Sequence, residues 1–192
     1  MATIEIGNIQ ENQKQRAKVT MLWVGIIAII MFFAAITSGF ILSMGGPAWI
    51  SVDVPQAFIF STLVIILSSA TMYWAQLSAK KGNAGGIRLG AMLTFLLGLV
   101  FGYCQYMGFI ELFASGHAFS SKNPADSFMY LIPVMHFAHL LGGLIALLVV
   151  ARRAKTGKYT AQNHLGVRLC GIYWHFLDIL WLYLFAFLYL IR

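Results

Sequence analysis

Two pairs of ionisable residues stand inside long apolar runs of this chain: His136 with His139, and His175 with Asp178. Each pair is three residues apart, so on a helix its members share a face. Gln105 and Glu111 lie in a third such run. Ionisable groups in apolar surroundings are costly and are the first place to look for function. Two histidines and a His/Asp pair suggest a metal site, a haem pocket or a proton path. The plainer alternative is that they hydrogen-bond between helices where no water can satisfy them.

The elements that must position them follow from composition. Of 192 residues, 60% are hydrophobic and 10% are charged, and mean hydropathy is +0.80. Soluble domains carry about 25% charged residues, so water is not the main solvent. Five apolar stretches, Thr20–Met44, Gln56–Ala79, Ile87–Ala114, Phe128–Val150 and Leu169–Ile191, are each long enough to cross a bilayer as a helix. Continuous rather than alternating apolarity excludes a β-barrel, and helices satisfy their own backbone in lipid. The expected fold is all-α, one transmembrane domain of five helices covering residues 1–192.

Charge sets the orientation. Of 13 basic residues, 11 lie before the first run, between the second and third, or between the fourth and fifth; Lys122 and Arg192 are the exceptions. The positive-inside rule then puts the N-terminus in the cytoplasm and the C-terminus outside. The formal charge of +7 is spread over these short runs, which reads as topology and not as a nucleic-acid surface. No signal peptide is expected, because the first apolar run is too long for an h-region. The residues from Met1 to about Gln13 are left open between a surface segment and disorder. Connections are too short for a soluble domain, and no internal repeat of the kind many transporters carry is evident.

With this topology, His136 and His139 lie roughly 12–17 Å below the outer face, at 1.5 Å per residue. His175 and Asp178 lie roughly 9–14 Å above the inner face by the same rise. The pairs approach mid-membrane from opposite sides, which speaks against one shared ion, and no other histidine lies inside a span to complete a haem pocket. Interhelical bonding is therefore the leading reading. A polar face for a lipid headgroup or a partner subunit is the second, and His175 and Asp178 could also bond each other along their helix. Glu111 is placed to reach headgroups or outer water. Cys104 and Cys170 have no CxxC partner and read as small hydrophobes. Gly90, Gly98, Gly102, Gly142 and Gly143 mark close helix approach, with Ser68, Ser69 and Thr71 as bonding groups. Trp23, Trp49, Trp74, Trp174 and Trp181 read as an aromatic belt.

The thirteen residues Tyr173–Phe185, YWHFLDILWLYLF, closely resemble the terminal-helix signature of haem–copper oxidase subunit III. The segment His136-Phe137-Ala138-His139-Leu140-Leu141-Gly142-Gly143 is similar to the family's two-histidine helix. Ser61-Thr62, Ser68-Ser69, Thr71 and Trp74-Ala75 are similar to its Asn-Thr…Ser-Ser…Thr…Trp-Ala helix, and Gln105 fits the family glutamine. Two family carboxylates are missing: Ile29 stands before Met31-Phe32-Phe33, and Gly108-Phe109 stands where Glu-Tyr is usual.

The resemblance implies the five-helix bacterial form of a non-catalytic core subunit in the inner membrane. It implies direct contact with subunit I, assembly with subunit II, and haem and copper held by those partners and not by this chain. It further implies bound phospholipid and support for proton uptake, oxygen access and stability of subunit I. His136, His139, His175, Asp178, Glu111, Gln105 and Trp174 are then structural or lipid-contact residues, with no catalytic, cofactor or metal role. The electron donor, cytochrome c or quinol, is chosen in other subunits. A subunit III-like protein of a nitric oxide reductase and a small proton-coupled transporter are the alternatives.

Overall fold

The computed structural model describes residues 2–47, 49–50, 52–117, 119, 123–157, 159–160 and 163–191, with side chains described at residue 10 and from residue 13 onward. Lys122, Lys158 and Arg192, which enter the charge count, lie outside the described residues. Among the described residues the regular elements are five α-helices: α1 (Ala2–Ser43), α2 (Gln56–Lys80), α3 (Ala84–Ala114), α4 (Pro124–Lys155) and α5 (Leu165–Leu190). All five contain windows long and apolar enough to cross a membrane.

Local chemistry sets the ends. Asn83 caps α3 by accepting from the Gly86 amide at 3.1 Å. Asn123 caps α4 by accepting from the Ala125 amide at 3.2 Å, with Pro124 in the first turn, where its missing N–H costs nothing. Gly82 and Gly157, at φ 68° and 66°, follow the last turns of α2 and α4. Glycine adopts this left-handed backbone without a Cβ penalty. Arg152, Arg153 and Lys155 occupy the last turn of α4, where cations complement the helix dipole. The helices outrun the apolar stretches at several ends. α1 in particular begins at Ala2, so its polar leader continues the transmembrane helix.

Consecutive helices run antiparallel. The α2–α3 pair is the most closely packed, α3 lies against α4, and α5 is inserted between α2 and α4. α1 touches α4 and α5 through its C-terminal half, where Phe33, Phe40 and Thr37 are buried. Only 11% of its apolar window is buried, against 50% for α5, so α1 is the peripheral helix. This alternation gathers the described basic residues at one end of the bundle, here termed the basic end. Outward-facing residues are mostly large apolar ones, such as Ile66, Leu96, Ile145 and Ile179, a surface that acyl chains solvate well.

Candidate functional site

The polar residues meet along the line where α2 faces α3 and α5. Trp174 and Trp181, seven residues apart and both fully buried, present their indoles to α2. Trp174 Nε1 donates to Ser68 Oγ at 3.0 Å, and Trp181 Nε1 donates to Thr62 Oγ1 at 3.0 Å. Gln105 Nε2 donates to Ser61 Oγ at 2.8 Å from the α3 side. Each of these hydroxyls in turn donates to a carbonyl of its own helix, Ile65 for Ser68 and Phe58 for both Ser61 and Thr62. One hydroxyl thus serves as acceptor between helices and donor within one. Nearer the basic end, the Thr71 and Thr94 hydroxyls meet at 2.8 Å. The two tryptophans are therefore core residues that tie helices together, which corrects their reading as an interfacial belt; Trp74, 43% exposed, does face outward.

His175 and Asp178 do not bond each other. Nδ1 of His175 lies 2.6 Å from Ser69 Oγ on α2. Neither carboxyl oxygen of the buried Asp178 has a hydrogen-bond partner of ordinary geometry among the described residues, although Ser69 stands beside it. His136 is fully buried and its ring nitrogens have no such partner either. Its ring lies 5.2 Å from Trp181, 5.9 Å from Phe101 and 6.4 Å from Phe33, centroid to centroid. His139 turns toward α1, against Phe32 and Phe33. Its Nδ1 sits 2.7 Å from the Met135 carbonyl, which can only accept, so Nδ1 carries the proton.

The two pairs are thus held apart: His136 is level with Trp181 while His175 is engaged by Ser69. Among the described residues no three His, Cys, Asp or Glu side chains converge as a metal would need.

Glu111 has a specific task that its position alone did not reveal. It is exposed at the end of α3 opposite the basic end, and its Oε1 accepts from the amide of Gln56, the first residue of α2, at 3.3 Å. The preceding residue, Pro55, provides no side-chain cap, so a carboxylate from the neighbouring helix serves the positive end of the α2 dipole. Glu111→Gln keeps the acceptor and removes the charge; the expected loss is about 0.3–1 kcal/mol, read as a small drop in thermal midpoint in detergent.

A second polar knot lies at the same end of the bundle as Glu111. His117 Nδ1 lies 2.8 Å from Asp126, and Asn123 exchanges two bonds with Ile50, donating at 2.8 Å and accepting at 3.1 Å. Tyr130 donates to the His117 carbonyl at 2.8 Å. These tie the α1–α2 loop to the α3–α4 turn. The Asn-Pro start of α4 was its visible signal.

Residues 18–191 match the family described as Cytochrome c oxidase subunit III. A Corynebacterium diphtheriae protein named Cytochrome c oxidase subunit 3 is 30% identical over 206 aligned positions, covering 99% of this chain and all of that protein. The chain belongs to the cytochrome c oxidase subunit III family. A Thermostichus vulcanus protein of the same name is 33% identical over 132 residues, 68% of this chain and 64% of that one. A Rickettsia felis relative is 35% identical over 140 residues, which is 72% of this chain but 48% of that longer protein.

As a subunit III it is a multi-pass protein of the bacterial inner membrane and a component of an oxidase complex. The two departures from the family pattern have packing explanations. Ile29 packs against the apolar cluster that α1, α4 and α5 form with Leu112 of α3. Gly108 is pressed against the Phe58 ring, which leaves no room for a side chain, and Phe109 stacks on Tyr130 at 5.3 Å.

Proposed function

We propose that this subunit III holds no redox centre itself and serves the haem- and copper-bearing subunits I and II, supporting proton uptake, oxygen access and the stability of subunit I. The observation that carries this reading is the use made of the buried hydrogen-bonding groups. The indoles of Trp174 and Trp181, the Gln105 amide and the Ser69 and His175 pair are engaged between helices, which is assembly chemistry. The N-terminus is assigned to the cytoplasm, because the basic end of the bundle then lies inside. The test is gentle detergent extraction with a visible spectrum of the pool. Haem absorbance should accompany the complex and be absent from the isolated chain. A redox centre or ion flux in liposomes from this chain alone would overturn the proposal.

Phospholipid is the expected ligand, and a cleft at the basic end supports it. Where α1 diverges from α4 and α5, a cavity of about 1120 Å³ is lined by Lys14, Lys18 and Arg153 at its mouth and by Leu22, Val149 and Leu169 within. Cations above an apolar floor suit an anionic headgroup with its acyl chains. Tyr159 closes one side, its phenol held above its ordinary pKa by burial, and so stays neutral at physiological pH. Replacing Lys14, Lys18 and Arg153 together by Ala should remove most of the anionic lipid that co-purifies, each cation near a membrane surface being worth about 1 kcal/mol. Lipid extraction and mass analysis of the complex checks this; unchanged lipid content would refute the site.

A further inference from the structure

Nδ1 of His175 is engaged by Ser69, but its ring also lines a groove of about 430 Å³ on the outside of the bundle, between α2 and α5. The other walls are Ser69, Ala70, Tyr73 and Ile179. Tyr73 is 57% exposed and Ile179 65% exposed. Whichever tautomer the Ser69 bond selects, Nε2 of His175 remains a donor or an acceptor, and among the described residues nothing meets it.

Depth makes this significant. His175 lies seven residues beyond Arg168 on α5, and Tyr73 lies seven before Lys80 on α2. At 1.5 Å per residue both stand about 10 Å in from the basic boundary, well inside a hydrocarbon layer of about 30 Å. Ester and headgroup oxygens do not reach that depth, and acyl chains offer no hydrogen bond. An imidazole and a phenol at one level, beside a small Ala70, instead form the surface on which transmembrane helices associate: close approach plus a polar bond. The outward faces of α1 and α3 are chiefly Leu, Ile, Val and Met; α3 also exposes Tyr103 and Tyr106, but neither helix carries a histidine to stand with a phenol.

We propose that the α2–α5 groove centred on His175 seats a transmembrane helix of the haem-bearing partner subunit, one that carries a hydrogen-bonding side chain to Nε2. This rests on the assembly proposed above and names the face through which it occurs. Since the chain is a component of an oxidase complex, a polar helix of that complex is the occupant whose chemistry matches the groove.

The test places a photoreactive p-benzoylphenylalanine at Ile179, with a control at Leu96 on α3, in the intact complex in native membranes. Illumination should join the Ile179 variant, and not the Leu96 variant, to the haem-bearing subunit, identified by peptide mass. Adducts from Ile179 only with phospholipid, a quinone or a second copy of this chain, while the haem-bearing subunit still co-purifies, would overturn the docking face and leave the assembly standing. Failure of haem to co-purify with the unmodified chain would overturn both. In parallel, His175→Leu should lower retention in the purified complex about five-fold, a polar contact in a membrane being worth about 1 kcal/mol. His175→Gln, which keeps a hydrogen-bonding group, should stay within about two-fold of the parent. Equal retention of the two variants would count against the proposal.

Discussion

Trp174→Ala should strip this subunit from its complex and lower its own stability by about 3–5 kcal/mol, the usual cost of emptying a large aromatic site in a packed core. Trp174 is 0% exposed and fills the space that two glycines leave. A Cβ built at Gly98 would stand 2.9 Å from its ring, and one at Gly143 3.1 Å from it. α3, α4 and α5 therefore meet on this one side chain, while its indole reaches α2 through Ser68. Removing it leaves a cavity bounded by three glycine- or serine-bearing helices, and rigid helix backbones collapse into such a space only in part. Trp174→Phe keeps an aromatic ring but removes the N–H along with part of the indole's volume. The hydrogen bond's share of the loss should be about 1 kcal/mol. In a double-mutant cycle with Ser68→Ala that loss should be shared between the two changes and not added. The measurement is the detergent unfolding midpoint together with the fraction of subunit retained on size-exclusion chromatography. A Trp174→Ala subunit retained at the parental level would refute the role assigned here.

What was legible in the sequence is what hydrocarbon dictates. Five apolar runs and basic residues concentrated in alternate connections follow from the cost of charge and of unpaired backbone in lipid. Pairing between helices was less legible, because it depends on rotation about each axis. Trp174 and Trp181 illustrate the point: counted along the chain they suggest a belt. Their separation of seven residues, two turns, puts them on the same face as Leu177, Asp178 and Leu184, all buried. That spacing, matched by Ser61/Ser68 and Thr62/Ser69 on α2, was the signal for a buried seam. The Glu111 cap was illegible for a different reason. A bond from α3 to the first amide of α2 is set by how the two helices align end to end, which no local pattern encodes. The start of α1 was left open because a polar leader has no periodicity of its own to announce that a helix continues through it.

The glycines show a sharper division, and they supply the second large effect. Gly90→Ala should cost about 1–3 kcal/mol by overpacking, although alanine is the better helix former by about 1 kcal/mol. At Gly90 a Cβ would stand 2.7 Å from the Ala75 Cβ and 3.1 Å from the Ala75 Cα and N. Backbone atoms in a long helix cannot swing aside as the end of a flexible side chain can, so α2 and α3 must separate along the most closely packed interface of the bundle. The Thr71–Thr94 contact, 2.8 Å long and one turn from Gly90, would stretch with it. Gly142→Ala is the informative control. Both glycines were expected to mark close approach, yet at Gly142 the nearest atom is the Tyr173 hydroxyl at 3.6 Å, so that substitution should be neutral or slightly stabilising. Ala75→Gly combined with Gly90→Ala should recover part of the loss, since it removes the shorter of the contacts and leaves the backbone ones. Unfolding midpoints that rank Gly142→Ala above the double variant, and the double variant above Gly90→Ala, are the expected outcome. If Gly90→Ala proved as stable as the parent, α2 and α3 would not be packed backbone to backbone, and the seam of serines, threonines and tryptophans could not close at the distances observed.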